Sequence, residues 1–226
     1  MNTNSKFKKI VVLLACAWAL FSLNALQAAV VHVDVNTSSL GSNPNGPFYL
    51  DFQMNYGGAG IGNSALVNNF TFGGGASSGS AVVGVGNPTG NLNSSFNLSA
   101  NGSNPFNDIY QAFTPGVTVG FDLTLTANPS GATPDAFLFA ILDHTTGQIP
   151  TSDPNGGLSL LEVDIDSLGH TVVKPYHGVN DALLGDYSAV TLAVVPEPAT
   201  AAAGVFALGF VCLTFFRSRK GSTQSS

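Results

Sequence analysis

Alternation of apolar and polar residues dominates the middle of the chain and predicts short β-strands. In residues 117–127, valine, phenylalanine and leucine alternate with threonine, glycine and aspartate, which is typical of a half-buried strand. Residues 136–142 are apolar on both faces, so we expect a central strand there. Further strands are predicted, in chain order, at 31–36, 49–54, 94–99, 161–166, 171–174 and 187–195, and short apolar stretches lie at 66–72 and 81–83.

Turn-forming segments separate these runs. Examples are Asn-Pro-Ser-Gly at 128–131 and Asp-Pro-Asn-Gly at 153–156. No stretch of residues 29–195 combines a helical period with capping residues, and the chain is rich in Phe (16) and Gly (26). We therefore predict an all-β domain of about eight to ten short strands. A two-sheet β-sandwich, jelly-roll or immunoglobulin-like in connectivity, is the expected architecture.

The first 28 residues have the pattern of a secretory signal peptide. Lys6, Lys8 and Lys9 precede an apolar run at 10–23, and small residues follow up to the expected cleavage site after Ala28. The alternative is an uncleaved membrane anchor. In either case residues 29–195 form the exported domain, which is long enough to bury a core of its own.

A second apolar run, residues 199–216, contains no charged residue. As a helix it spans about 27 Å, enough to cross a thin hydrocarbon core. The basic residues Arg217, Arg219 and Lys220 follow it directly and predict a membrane stop, with the polar tail 221–226 in the cytoplasm. The sequence therefore predicts one C-terminal transmembrane helix, with the upstream domain outside.

Pro196, Glu197 and Pro198 stand immediately before this run. The arrangement of 196–220, with its proline motif, apolar helix and basic cluster, resembles the PEP-CTERM sorting signal of exported bacterial proteins. The resemblance implies that exosortase, a membrane cysteine transpeptidase, cuts near the motif and releases or transfers the upstream domain. The two prolines disfavour a helix there and keep the backbone extended.

The exported region also resembles the β-sandwich domains that accompany such signals, on the residues 69–75 and 121–126. That resemblance implies a fold and no activity.

Charge and cysteine content narrow the functional classes. Lys174 is the only Lys or Arg in 29–195, whereas every acidic residue except Glu197 lies there. Such an acidic domain is not expected to bind nucleic acid or anionic membranes. Both cysteines, Cys16 and Cys212, lie outside the domain, which excludes a disulfide, a thiol nucleophile or a cysteine metal site within it.

No catalytic set emerges from the candidate motifs. Residues 75–79 match G-x-S-x-G, but glycines and serines replace the strand and helix that a nucleophile elbow needs. His32, His170 and His177 have no second ligand at zinc-like spacing, and we interpret Asp143 and His144 as a hydrogen-bonded structural pair. We therefore predict a non-enzymatic protein without catalytic residues.

Glu162, Asp164 and Asp166 are the candidate metal ligands. Side chains two apart on a strand share a face about 6.5–7 Å apart, so these carboxylates repel one another unless solvent or a cation intervenes. Calcium accepts such oxygen ligands, with carbonyl groups of the 153–157 loop completing the shell. The alternative is the solvated outer face of an acidic protein. No other cofactor is expected.

The function we expect is that of an exported, non-catalytic cell-surface or extracellular-matrix protein. The resemblance implies exosortase as a partner and a precursor held transiently in the inner membrane. The alternative is a secreted carbohydrate-binding module that contacts exopolysaccharide. The domain has no Trp for sugar stacking and would use its five Tyr residues instead. A secreted hydrolase is a third class, for which no catalytic set is apparent.

Overall fold

A computed structural model describes residues 29–183 and 185–196, which form fifteen β-strands and one short 3-10 helix at Leu40–Ser42. The first seven strands are β1 (Ala29–Asn36), β2 (Phe48–Asn55), β3 (Asn63–Thr71), β4 (Ala76–Ser77), β5 (Val82–Val85), β6 (Thr89–Gly90) and β7 (Ser95–Ala100). The remaining strands are β8 (Phe106–Thr114), β9 (Thr118–Leu125), β10 (Asp135–Leu142), β11 (Leu161–Ile165), β12 (Thr171–Pro175), β13 (Asn180–Asp181), β14 (Gly185–Asp186) and β15 (Leu192–Pro196).

The strands pair in two large antiparallel sheets and one small one. The six-stranded sheet has the order β15-β1-β9-β3-β7-β6, and the seven-stranded sheet has the order β12-β11-β10-β2-β8-β4, with β5 also paired to β8. β13 and β14 form a separate two-stranded sheet. The chain passes from one large sheet to the other after β1, β2, β3, β5, β7, β8 and β9, so most neighbouring strands are distant in sequence.

Phenylalanine side chains join the two large sheets. Phe52 of β2 is fully buried, and its ring centroid lies 5.3 Å from Phe96 and 5.4 Å from Phe121, both in the opposite sheet. Within its own sheet it contacts Phe139 at 5.3 Å. Each sheet therefore has an inner face turned toward the other sheet and an outer face turned away from it.

A β-bulge in β3 adds one more aromatic ring to this contact. Asn69 has a left-handed backbone, with φ 54°, and the pairing register with β9 shifts between Asn68 and Thr71. Strict alternation from Val67 would send Phe70 outward, but the extra residue changes the phase. Phe70 thus packs 6.0 Å from Phe52.

The prediction of an all-β domain is confirmed for the described residues. Strands are found at or within a few residues of most predicted runs, including β10, which lies between β11 and β2 inside its sheet. The prediction for 187–195 is wrong in its first half, because Tyr187 lies in a turn and is buried in the core. β8 was not predicted at all. Setting aside the two-residue strands β4, β6, β13 and β14 leaves eleven of the fifteen, one more than the predicted upper limit.

The predicted signal peptide at 1–28 and the predicted membrane helix at 199–216 lie outside the described residues. In 29–183 and 185–196, no helix has the length and hydropathy needed to cross a membrane.

Replacing Phe52 by Ala is expected to lower the free energy of unfolding by about 3–5 kcal/mol, since the cavity would open at the contact between the sheets. Urea unfolding of residues 29–196, followed by circular dichroism, measures this change. Ile61→Ala is the control, because Ile61 is 83 % exposed and its loss should change stability by less than about 0.5 kcal/mol. Equal effects of the two substitutions would contradict the role assigned to Phe52.

Candidate functional site

Polar side chains line the outer face where β2 pairs with β8. Asp51, Gln53 and Asn55 alternate with the apolar inner residues of β2. The antiparallel register places Gln53 opposite Asp108 and Asp51 opposite Tyr110. Asp108 is therefore the diagonal neighbour of both Asp51 and Asn55, within reach of their side chains.

These residues form one wall and the floor of a groove of about 660 Å³. The side chains of Leu138 and Leu142 from β10 border it, and loop residues Thr146, Gln148 and Gly157 extend it. Polar groups thus converge on an open, mostly polar concavity, whose apolar border is formed by the two leucines.

Asp51 has unusual surroundings for a carboxylate. The residue is only 2 % exposed, and its Oδ2 accepts a hydrogen bond of 2.8 Å from Nε2 of Gln53. Its Oδ1 has no hydrogen-bond partner, and neither has the buried Oδ1 of Asn55 or of Asp108. Three buried oxygen acceptors along the same pair of strands therefore lack donors.

Burial and the neighbouring Asp108 together raise the pKa of Asp51 to about 8. Desolvation contributes most, because it disfavours the charged form, and the nearby Asp108 carboxylate acts in the same direction, since only a protonated Asp51 can donate a hydrogen bond to it. In the absence of any cation, the Asp51 carboxyl group consequently holds a proton at neutral pH.

Gly84 allows β5 to approach Asp108 closely. The register between β5 and β8 shifts between Val83 and Val85, which places Gly84 against the Asp108 carboxylate. A Cβ atom at Gly84 would overlap with Oδ2 of Asp108. A glycine at position 84 is therefore required for β5 to lie this close to the Asp108 carboxylate.

The carboxylates predicted as calcium ligands have a different neighbour. Lys174 of β12 donates to Oε1 of Glu162 at 2.9 Å and to Oδ2 of Asp164 at 2.5 Å, and these hydrogen bonds raise the pKa of Lys174. Asp166 lies in the turn after β11, where it accepts the backbone N–H groups of Leu168 and His170. The structure therefore pairs two of the three with a lysine and separates the third from them.

The other singled-out residues occupy structural positions. Asp143 accepts hydrogen bonds from Thr145 and Gly147, whereas Nδ1 of His144 contacts the carbonyl oxygen of Asn45. The interpretation of Asp143 and His144 as partners of each other is thus wrong. In the G-x-S-x-G segment, Ser77 belongs to β4 and its hydroxyl bonds Asn93 at 2.5 Å.

Of the sorting motif, only Pro196 is described. It is the last residue of β15 and pairs with Val31 at the edge of the six-stranded sheet. Glu197 and Pro198, like the predicted membrane stop at Arg217, Arg219 and Lys220, lie outside the described residues.

A second groove, of about 480 Å³, lies on the six-stranded sheet. Its lining consists of Ser, Thr, Asn, Ala and Leu residues, such as Ser64, Asn97 and Thr124. It therefore contains no titratable side chain. The groove on β2 and β8, hereafter the carboxylate groove, contains Asp51 and Asp108 and is the better candidate for a functional site.

Sequence reasoning missed this carboxylate groove. The outward polar row of β2 was visible in the alternation, but β8 was not recognised as its neighbour. In 29–183 and 185–196, no cluster of three or more His, Cys, Asp or Glu side chains is arranged to hold a metal ion. The groove instead combines two carboxylates with amide groups.

No family model, curated protein or solved structure matches this chain. The chemistry of the groove is therefore argued from its own residues.

Raising the pH from about 4 to 8 in metal-free buffer is expected to destabilise the domain. A carboxyl group with a raised pKa stabilises the fold while it is protonated, and this contribution is lost as the pH rises toward the folded-state value of about 8. The slope cannot exceed about 1.4 kcal/mol per pH unit for one proton.

Chemical denaturation of residues 29–196 at several pH values measures this slope. Asp51→Asn should flatten it, because asparagine stays neutral throughout and keeps a similar shape. Groups elsewhere, such as His32, titrate equally in both proteins and cancel in the comparison. An unchanged slope in Asp51→Asn would show that Asp51 does not hold the proton.

Proposed function

We propose that this chain is an exported, non-catalytic cell-surface or extracellular-matrix protein that an exosortase-type system sorts. The observation that carries the proposal is the sequence of 196–220, in which a Pro-Glu-Pro motif, an uncharged apolar run and a basic cluster follow one another. The folded domain reaches this motif, because Pro196 belongs to β15 and pairs with Val31.

The exported domain is in our proposal a two-sheet β-sandwich of the jelly-roll kind. Its support is the Phe52 contact between the sheets and the frequent passage of the chain from one sheet to the other. Its core is extensive and holds no cysteine, so export would not make its folding depend on disulfide formation.

A second function, glycan binding, is favoured by the carboxylate groove. Carboxylate and amide acceptors such as Asp108 and Gln53 suit sugar hydroxyl donors, and Tyr110 offers an aromatic ring beside them. Tyr49 contacts Tyr110 edge-to-face at 5.7 Å and steadies that ring. We therefore propose that the groove binds a polysaccharide of the extracellular matrix.

The sorting proposal predicts that the double substitution Glu197→Ala/Pro198→Ala keeps the protein in the inner membrane. Alanine at both positions allows helix to extend upstream from residue 199 and removes the extended segment that the enzyme would recognise. The substitution leaves Pro196 and therefore β15 intact. Membrane fractionation in a host with exosortase, with mass spectrometry of the C-terminus, measures the effect.

The matched control replaces Ser222 and Thr223 by Ala, beyond the basic cluster, and should be processed normally. The mature wild-type protein should lack residues 199–226. A surface-exposed wild-type protein that retains Ser226 would sink the sorting proposal, because the segment would then be a permanent anchor.

For glycan binding, Tyr110→Ala is expected to weaken affinity for exopolysaccharide at least about tenfold, since truncating a stacked aromatic anchor costs roughly 1–2 kcal/mol. Screening on a glycan array identifies a ligand, and calorimetry gives its affinity. Tyr176→Ala is the control, because Tyr176 is also half-buried but lies outside the groove. Equal losses in both variants, or no glycan bound by the wild type, would refute this function.

A further inference from the structure

We infer that the floor of the carboxylate groove is a binding site for a divalent cation, calcium being the best match, held by Asp51 and Asp108. Each contributes a buried carboxylate oxygen that receives no hydrogen bond from a donor in the protein. The inference does not depend on glycan binding, although both concern the same groove.

Other buried carboxylates of this fold show how unusual Asp51 is. Asp135 is fully buried, and its two oxygens accept hydrogen bonds from the Gly57 backbone at 2.7 Å and from Asn63 at 2.8 Å. Asp153, 8 % exposed, similarly receives hydrogen bonds from Asn155 and Ser159. Asp51 is 2 % exposed, yet its Oδ1 has no donor. Because such an oxygen is costly to bury, it requires either a proton or a ligand supplied from outside.

Nothing in the described domain supplies the positive charge that the two carboxylates need. Lys174 is the only Lys or Arg between residues 29 and 196, and it is bound to Glu162 and Asp164. The cross-strand neighbours of Asp51 are Tyr110 on β8 and Ala140 on β10, neither of which is cationic. Compensation must therefore come from a proton or from an external cation.

Strand geometry brings the two carboxylates within reach of one ion. Asp51 lies diagonally across from Asp108, at a Cα separation of about 7–8 Å for such a pair. Two carboxylates that lean toward each other across this spacing can both contact an ion at the usual calcium–oxygen distance of about 2.3–2.6 Å. The close approach of Gly84 behind Asp108 limits the room for that carboxylate to turn away.

The donor set indicates the kind of ion. Both ligands supply hard carboxylate oxygens, and no histidine or cysteine lines the groove. Such a set suits calcium better than zinc or copper, which prefer nitrogen and sulfur ligands. Calcium takes 6–8 oxygens, so water or ligand hydroxyl groups in the open groove would complete the shell. A site of this kind in an extracellular module binds calcium at about 0.1–1 mM.

Calcium binding is tested on the full-length chain, purified in a mild detergent and freed of metal with a chelator. Equilibrium dialysis with calcium chloride should give one saturable ion per chain, and the melting temperature should rise with calcium but not with sodium chloride of equal ionic strength. Asp108→Asn should weaken calcium binding at least about tenfold. Loss of a group that only orients a metal ligand typically lowers metal affinity about 10–100-fold, and loss of a direct ligand should lower it no less.

Asp164→Asn is the matched control, since it removes the same charge beside Lys174 and should leave calcium affinity unchanged. Far-ultraviolet circular dichroism verifies that both variants remain folded. Loss of binding in Asp164→Asn with retention in Asp108→Asn would move the site to β11 and overturn the inference. Absence of saturable calcium binding would also overturn it and leave a shared proton as the compensation.

Terbium luminescence locates the ion without changing a ligand. Terbium replaces calcium at oxygen sites and emits when a nearby tyrosine is excited, so Tyr110→Phe should reduce the emission severalfold while calcium affinity is retained. Tyr176→Phe should leave the emission unchanged, although the Tyr176 hydroxyl bonds Glu162. A loss of emission in Tyr176→Phe but not in Tyr110→Phe would place the ion near β11.

Calcium measurements need no glycan, so a failed glycan screen with intact calcium binding would refute only the glycan proposal.

Discussion

The contact between the two sheets through phenylalanine rings is the interaction on which the remaining structure depends. Phe52 touches aromatic rings of both sheets, and Phe121 meets Phe139 across the same contact at 5.0 Å. Because these rings fill the space between the inner faces, ligand chemistry is confined to outer faces, edges and loops. Adjacent residues of β2 show the two faces: Phe52 points into the core and Asp51 points to the outer face.

β8 shows why part of the fold escaped prediction from sequence. Its inner face carries Asn107 and Gln111 as well as Ile109 and Phe113, so polarity does not alternate even though burial does. Gln111 accepts the Leu92 backbone N–H at 2.8 Å and donates to the Gly79 carbonyl at 2.9 Å. These buried amides form hydrogen bonds with backbone groups of the irregular segments beside β8. Such hydrogen bonds depend on tertiary contacts, so the hydropathy pattern of the sequence does not reveal them. Where burial coincided with hydrophobicity, as in β9, the pattern predicted the strand correctly.

The carboxylate groove escaped prediction from sequence for a related reason. Sequence alternation correctly indicated carboxylates on strand surfaces, but it contains no information on which strand lies alongside. β12 brings Lys174 next to Glu162 and Asp164, which neutralises them. β8 brings a second acid, Asp108, next to Asp51, which intensifies the charge. The same residue type thus has opposite electrostatic surroundings, and only strand order and register distinguish the two cases.

Strand order also separates the groove from the end of the domain. β15 pairs with β1 at the edge of the six-stranded sheet, whereas the groove is built on β2 and β8 inside the seven-stranded sheet. A tether that continues from Pro196 therefore leaves from a different sheet than the one that carries Asp51 and Asp108. Removal of residues after Pro196 would therefore leave the hydrogen bonds between β2 and β8 unchanged.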